Sequence, residues 1–355
     1  MTRARAAAPA ADCFIPPSAL PRAFASPPGR GRIKQHPEDF EVDELLGFEP
    51  DGEGGHVWLR VRKRGANTRW VARGLARIAN VRTRDVGYAG LKDRAALTTQ
   101  WFSVPVIAAV EPDWGAIETC DVEVLETTRH RRKLRRGVQA GNRFRVRVRD
   151  FEGDEAAIFE RAATLADAGV PNYFGAQRFG HDAGNIARAA EMLGGARVRE
   201  RALRGLYLSA VRAMLFNRVL ARRVEDGSWR RALPGEALML DGSRSVFNEP
   251  APGEAIRERL ARLDVHPTGP LCGRGEPVAS GEALALESAA LAPCAEWCDG
   301  LAESGLAHAR RALRVRVAGL EAGFEGPGTL VADFRLPAGA YATMVLRELA
   351  CCSAS

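Results

Sequence analysis

The sequence is poor in the residues that cross-link proteins or bind metals. Its 355 residues include seven cysteines and six histidines, all widely scattered. An odd, sparse set of cysteines favours a reduced, cytoplasmic setting over a disulfide framework. Cys294 and Cys298 stand in an alanine-rich stretch without the second ligand pair that a zinc site requires. We therefore expect no metal.

Long apolar runs are also absent, and no stretch approaches the length of a membrane-spanning helix. Residues 1–30 are rich in Ala, Pro and Arg and contain no apolar core of a signal peptide, so we expect a mostly disordered tail. The Gly-x-Ser-x-Gly elbow, the phosphate-binding P-loop and the dinucleotide fingerprint are all missing. These absences disfavour a membrane protein and several large enzyme classes.

Positive charge is what the sequence has in excess. Lys and Arg total 51 against 44 Asp and Glu, a net charge of +7, and most of the cations are arginine. Arginine pairs with phosphate and stacks on bases, so this composition favours a nucleic-acid partner. A GC-rich genome is the alternative source of an arginine-rich composition.

The densest charge lies at "RHRRKLRRG" (129–137), which holds six Lys or Arg within residues 129–136. The run leads into "GNRFRVRVRD" (141–150), a strand-like segment whose polar face is arginine. We expect a continuous basic surface here that contacts RNA phosphates, with an ordinary solvated face as the alternative. The candidate phosphate-binding residues are Arg131, Arg132, Lys133, Arg135 and Arg136.

Alternating apolar and polar residues predict strands at both ends of the chain. They are clearest in "HVWLRVRKRG" (56–65), "NRFRVRVRD" (142–150) and "TLVADFRLPAG" (329–339), and Thr68 is the predicted cap of a helix between the first two. Such alternation favours a mainly antiparallel sheet with one buried face. Because the middle of the chain is helical, we predict an α+β fold in which a discontinuous sheet domain (31–167 plus 314–350) carries an inserted α-rich domain (168–313).

One short loop holds a single carboxylate. "GYAGLKDRAALTTQ" (87–100) places Lys92 and Asp93 in a glycine-flanked turn, where an Asp with its ordinary pKa of about 3.9 is ionised. The neighbouring sequence offers no second carboxylate and no histidine, which disfavours the paired carboxylates of glycosidases. Asp93 is either a catalytic residue or a turn residue bonded to its own backbone.

Asn142, Arg143 and Phe144 place an amide, a cation and an aromatic ring side by side. Those side-chain types are used to hold an unstacked base. Strand periodicity alone, however, points the Phe144 ring into the core with Val146 and Val148.

Several long segments together resemble one family. "IKQHPEDFEVDELLGFEPDGEGGHVWLRV", "GYAGLKDRAALTTQWF", "HRRKLRRGVQAGNRF", "VPNYFGAQRFG" and "LPAGAYATMVLREL" are similar, in this order, to motifs of the TruD family of tRNA pseudouridine synthases. The resemblance runs from about Ile33 to Leu349 and is weakest over 228–312.

The resemblance implies a pseudouridine synthase sheet domain with an inserted TRUD domain. It implies isomerisation of uridine to pseudouridine in tRNA, typically at position 13, with no cofactor. Asp93 would act at the ribose, either as nucleophile at C1′ or as base at C2′. The implied substrate contacts are Lys34, near the catalytic carboxylate, Phe40, Asn142, Phe144, which stacks on the target base, and Tyr341, where some relatives have Phe.

The expected partner is tRNA, with no membrane and no obligatory protein partner. The alternative from another class is a non-catalytic RNA-binding or RNA-folding protein on the same scaffold.

Overall fold

A computed structural model describes residues 13–106 and 112–354. The described chain forms two compact units. The sheet unit comprises residues 27–166, 317–339 and 349–354, and the helical unit comprises residues 13–26, 167–316 and 340–348. The domain boundaries expected from the sequence stay a prediction, since compactness alone does not define a domain. Residues 1–12 of the expected tail lie outside the described residues, whereas Leu20 is buried in the helical unit.

The strands and helices follow the predicted alternation of the two types along the chain. The helices are α1 (Thr68–Ile78), α2 (Glu155–Ala168), α3 (Gly184–Leu193), α4 (Arg201–Glu225), α5 (Glu254–Ala261), α6 (Gly281–Leu291), α7 (Ala295–Glu303) and α8 (Ala342–Leu349). The strands are β1 (Gly29–Ile33), β2 (Phe40–Leu45), β3 (His56–Arg64), β4 (Gly87–Tyr88), β5 (Leu97–Pro105), β6 (Val122–His130), β7 (Gly141–Gly153), β8 (Val170–Pro171), β9 (Glu236–Leu240), β10 (Val246–Glu249), β11 (Val265–Leu271), β12 (Ala309–Ala312), β13 (Arg314–Val315), β14 (Ala318–Phe324), β15 (Leu330–Pro337) and β16 (Cys351–Ala354).

The sheet unit is built on a ten-stranded sheet with the central order β14-β15-β7-β2-β5-β3-β6. Among the described strands of this sheet, only β1–β16 and β2–β5 pair in parallel. The remaining pairs are antiparallel. The predicted α+β class with a mixed, mainly antiparallel sheet is therefore confirmed.

One face of this sheet is buried, as the alternation predicts. On β7 the side chains of Phe144, Val146 and Val148 all lie on it, and α1 packs Val71 and Leu75 over its β3 end. The predicted cap of α1 is wrong by one residue: the Asn67 side chain accepts the Arg69 N–H at 2.8 Å. The Thr68 hydroxyl is consequently available for another contact.

The opposite face of β7 does not form the expected basic surface. Its arginines are ion-paired with carboxylates on the neighbouring strands and loops, so most of their charge is neutralised within the sheet unit. The pairs are Arg143 with Asp333 (2.6 Å), Arg145 with Glu325 (2.6 Å), Arg147 with Glu41 (2.5 Å) and Arg149 with Asp39 (2.7 Å).

The helical unit packs its core around α4, the longest described helix, together with a four-stranded sheet in the order β10-β9-β11-β12. Two of its cysteines depart from the reduced state that their odd, sparse number favours. Cys13 and Cys294 form a disulfide that spans 281 residues of sequence, because the N-terminal segment reaches the turn before α7. Along the described residues, no helix combines the length and apolarity needed to cross a bilayer.

Candidate active site

The loop between β4 and β5 is fixed to the sheet unit by side chains of its neighbours. The Thr68 hydroxyl, not needed as a helix cap, accepts the Lys92 N–H at 3.1 Å and donates to the Gln100 side-chain oxygen at 2.8 Å. The Gln100 amide in turn donates to the Gly90 carbonyl at 3.2 Å. This chain of hydrogen bonds joins α1, the loop and β5, so the loop conformation is set by the sheet.

Lys92 attaches the same loop to the buried face. Its ammonium group lies 2.8 Å from a carboxylate oxygen of Glu44 on β2 and donates to the Asn142 side-chain oxygen on β7 at 2.7 Å. The side chains of Lys92 and Glu44 are 6% and 0% exposed. A charge at such depth is strongly disfavoured unless it is paired, so the loop and these two strands depend on one another.

Asp93 occupies the next position and remains accessible. One of its carboxylate oxygens is 2.5 Å from the Lys34 ammonium group, and the other accepts the Ala95 N–H at 3.0 Å. The Asp93 side chain keeps 25% of its surface exposed. Lys34 adopts a left-handed backbone conformation with φ of 62°, which is unfavourable for a non-glycine residue and is maintained by the surrounding structure.

The surroundings of Asp93 favour its charged form. Burial raises the pKa of this carboxyl, but the hydrogen bond and charge of Lys34 oppose it, aided by the Ala95 N–H and the charge of Lys63. The net pKa lies below the ordinary Asp value. Asp93 is therefore a carboxylate at neutral pH.

A second ammonium group holds the backbone of Asp93. Lys63 is 0% exposed and donates to the carbonyls of Ala66 at 2.8 Å and Asp93 at 3.2 Å. Burial lowers the pKa of Lys63 to about 8, against the opposing effect of the Asp93 charge. The position of Asp93 is thus fixed from the side chain by Lys34 and from the backbone by Lys63.

Aromatic rings continue from Lys34 along the buried face. The Lys34 ammonium lies 4.6 Å from the centroid of the Phe40 ring, which meets Phe144 edge-on at 6.1 Å. Phe144 is 7% exposed and stacks on Phe334 at 5.5 Å with an interplanar angle of 25°. The strand periodicity was therefore right about the direction of the Phe144 ring, which shares its face with Asn142.

The structure brings five of the residues named from the sequence into this network of the sheet unit: Lys34, Phe40, Asp93, Asn142 and Phe144. Tyr341 belongs to the helical unit. Its hydroxyl accepts a hydrogen bond from Arg178 at 3.0 Å, and its ring meets Phe174 edge-on at 6.0 Å.

Sequence reasoning missed Glu44 and Lys63 and gave Lys92 no role of its own. Glu44 follows Phe40 and Val42 at the spacing of buried positions, and Lys63 follows Leu59 and Val61 in the same way. A charged residue in the register of buried side chains was the available signal, because such a residue requires an internal partner.

The predicted phosphate-binding cations lie in the segment between β6 and β7. Buried Leu134 anchors it by donating its N–H to the Ser103 hydroxyl at 2.8 Å, while the five cations are exposed. Arg131 pairs with Glu53, and the Arg136 guanidinium lies over the Tyr88 ring at 5.5 Å. No three His, Cys, Asp or Glu side chains are grouped to hold a metal ion anywhere in residues 13–106 or 112–354.

Comparison with known proteins gives a consistent result. The family model described as "tRNA pseudouridine synthase D (TruD)" matches residues 22–195 and 185–349. The chain is 53% identical over 332 residues to tRNA pseudouridine synthase D of Methylococcus capsulatus, covering 93% of this chain and 94% of the relative. It is 52% identical over 320 residues to that of Nitrosococcus oceani, covering 89% of each.

A solved structure shares the fold. The crystal structure of the putative tRNA pseudouridine synthase D (TruD) from Methanosarcina mazei superimposes with a TM-score of 0.72. The superposition covers 93% of this chain and 95% of the other, at 24% sequence identity.

The ion pair with Lys34 predicts a measurable change in the pKa of Asp93. In Lys34→Met the pKa-raising effect of burial is no longer opposed by the hydrogen bond and charge of Lys34, so we expect the Asp93 pKa to rise. NMR titration of ¹³C-labelled Asp carboxyl groups, assigned with Asp93→Asn, measures it. Because the folded-state pKa is depressed, the pair stabilises the fold above about pH 4 and ceases to do so as pH falls through the folded-state pKa.

Arg32→Met is the matched control, since it removes a cation of β1 whose partner is Asp150 at 2.8 Å. It should leave the Asp93 titration unchanged. Equal titration curves for Asp93 in wild type and Lys34→Met would contradict the assignment.

Proposed function

The chain belongs to the tRNA pseudouridine synthase D (TruD) family, and from this premise we propose that Asp93 is the catalytic carboxylate of its reaction. The protein is an isomerase that converts uridine to pseudouridine in tRNA. We propose position 13 as the target and the cytoplasm as the setting. The non-catalytic alternative is not retained.

The chemistry of the isomerisation suits one carboxylate. The bond between N1 of uracil and C1′ of ribose breaks, the base turns, and a bond forms between C5 and C1′. One proton leaves C5 and one is gained at N1, so the atoms balance without water, a departing group or an electron acceptor. We propose that no cofactor takes part.

The observation that carries the assignment to Asp93 is its fixed, ionised and accessible carboxylate. Lys34 holds the charged form at 2.5 Å, Lys63 holds the backbone, and a quarter of the side chain remains exposed. An ionised carboxylate is competent both as nucleophile at C1′ and as base at C2′. Both roles stay open.

The residues around Asp93 have proposed roles that follow from their contacts. Asn142 is held by Lys92 on the buried face beside Phe144, which places an amide and a ring in the neighbourhood of the loop. We propose that they bind the target base, with Phe40 beneath Lys34. Tyr341 is a further proposed substrate contact. The proposed phosphate contacts are Arg131, Arg132, Lys133, Arg135 and Arg136.

The first test replaces the carboxylate alone. Asp93→Asn keeps the size of the side chain, so we expect turnover below about a thousandth of wild type, with tRNA affinity largely retained. Release of tritium from [5-³H]uridine-labelled tRNA measures turnover, and filter binding measures affinity. Asp150→Asn, which removes a carboxylate paired with Arg32, is the control and should keep full activity. Turnover by Asp93→Asn above that level would exclude Asp93 as the catalytic group.

The second test separates the two roles of Phe144. Phe144→Leu and Phe334→Leu each remove one ring of the same stacked pair, so we expect similar losses of unfolding free energy, about 0.5–3 kcal/mol each. Only Phe144→Leu should reduce kcat/KM, by roughly 5- to 150-fold, the equivalent of one stacked base. Denaturant melts and single-turnover kinetics measure the two effects. Equal values of kcat/KM for Phe144→Leu and Phe334→Leu would show that Phe144 contributes to the core and does not contact the substrate.

A further inference from the structure

The sheet unit contains a large cleft beside the Asp93 loop. The first turns of α1, residues 83–84 and 86–88, Arg94, residues 119–122 and residues 133–136 line a cavity of about 1270 Å³. Small-molecule pockets usually occupy about 300–1,000 Å³, so this cleft has room for more than one mononucleotide. A polymeric ligand fits its size.

The charge of the cleft is strongly one-sided. Among the residues that the structure describes, eight Lys or Arg line it, against Asp121 as the single carboxylate. Within the described part of the chain, four of the guanidinium groups form neither an ion pair with a carboxylate nor a hydrogen bond: Arg69, Arg73, Arg84 and Arg135. The charge of Arg84 also acts on Asp85, which is the ion-pair partner of Arg82.

This arrangement is the reverse of that on β7, where Arg143, Arg145, Arg147 and Arg149 all have carboxylate partners. Arginines with a structural role are paired within the fold. The four in the cleft come from three separate segments of the chain, and their guanidinium groups have no ion pair or hydrogen bond with the described residues, which suits an external polyanion.

The cleft also contains a half-exposed aromatic side chain. Trp70, in the first turn of α1, is 45% exposed and has no ring partner among the described residues. A large apolar ring exposed among cations is the combination with which proteins bind unpaired nucleotides, by stacking on bases and pairing with phosphates. A rigid duplex would reach the arginines but would offer no base face to Trp70.

The cleft adjoins the proposed catalytic residue. Arg94 directly follows Asp93, lines the cleft, and donates to the Gly65 carbonyl at 3.2 Å. Gly65 and Ala66 line the cleft as well, and the Ala66 carbonyl shares the Lys63 ammonium with that of Asp93. A strand of RNA bound in the cleft would therefore lie next to a nucleotide held at Asp93.

We propose that this cleft binds an unpaired segment of the tRNA that adjoins the target uridine, with its phosphates on Arg69, Arg73, Arg84 and Arg135 and one base stacked on Trp70. The proposal rests on the proposed function, because the RNA in the cleft is the substrate of that reaction. To the proposed function it adds a second RNA-binding site, an unpaired conformation of the bound RNA, and Trp70 as the residue that stacks on one of its bases.

The phosphate contacts are tested by salt dependence. For Arg73→Ala/Arg84→Ala, the slope of log affinity for oligouridylate against log salt should fall by about 1.4, at roughly 0.7 per lost contact to a single strand. The control Arg188→Ala/Arg257→Ala removes the same charge from exposed arginines paired with Glu191 and Glu254. A slope equal to that of the control would overturn the proposal.

The stacking contact is tested with Trp70→Leu. Oligouridylate should bind this variant roughly 5- to 150-fold more weakly and should no longer quench the tryptophan fluorescence that it quenches in wild type. Phe159→Leu, at a ring that is 47% exposed on α2 and does not line the cleft, is the control and should bind normally. Unchanged affinity and quenching in Trp70→Leu would overturn the stacking assignment.

A fully paired RNA duplex tests the conformation of the ligand. We expect Trp70→Leu to bind the duplex as wild type does, and an equal loss for duplex and oligouridylate would overturn the assignment to an unpaired segment. All these experiments measure RNA binding and not turnover. If Asp93→Asn were active, the catalytic assignment would fail, but the binding results for the cleft would stay valid. Conversely, normal RNA binding by both cleft variants would overturn the proposed binding site and leave the assignment of Asp93 as the catalytic residue unaffected.

Discussion

The sheet unit depends on the pairing of three lysine ammonium groups at one short loop. Lys34, Lys63 and Lys92 come from three different segments, and they bind respectively the Asp93 carboxylate, the Asp93 backbone carbonyl and the Glu44 carboxylate. Buried ammonium groups without partners would destabilise the fold, so β2, β7 and the loop must meet in one register. The same contacts that pair these ammonium groups also determine where Asp93 lies and keep its carboxylate ionised.

Much of the sheet could be predicted from the sequence, because β2, β3, β7 and β15 alternate at the period of two that one buried face imposes. The site was predictable only in part. Asp93 stood out as a lone carboxylate in a loop, whereas its partner Lys34 is 59 residues away and only the fold or a family resemblance connects them. Asn67 took the cap expected at Thr68, since either side chain suits that position and only the contact with the loop distinguishes them.

Charge in the sequence proved a poor guide to charge on the surface. Residues 129–136 and the arginines of β7 look equally basic when read along the chain. In the fold, β7 faces Asp333, Glu325 and Glu41 from neighbouring strands and loops, which neutralise it. Helix α1, which carries no charge run of its own, contributes Arg69 and Arg73, neither of which forms an ion pair with a described residue. Only the arrangement of the strands reveals which cations are free to bind phosphate, because ion pairs form between residues distant in sequence.

The interleaving of the two units sets the order in which the sheet unit can be completed during translation. Strand β7 carries Phe144, but the ring on which Phe144 stacks lies on β15, after residues 167–316 of the helical unit. Strand β1 likewise gains its parallel partner, β16, only after residues 340–348 of the helical unit have been synthesised. A nascent chain therefore exposes one edge of β7 while the helical unit is synthesised, an edge open to wrong pairing. Such long-range strand pairing slows folding of the sheet unit and delays its completion until β15 and β16 have been synthesised.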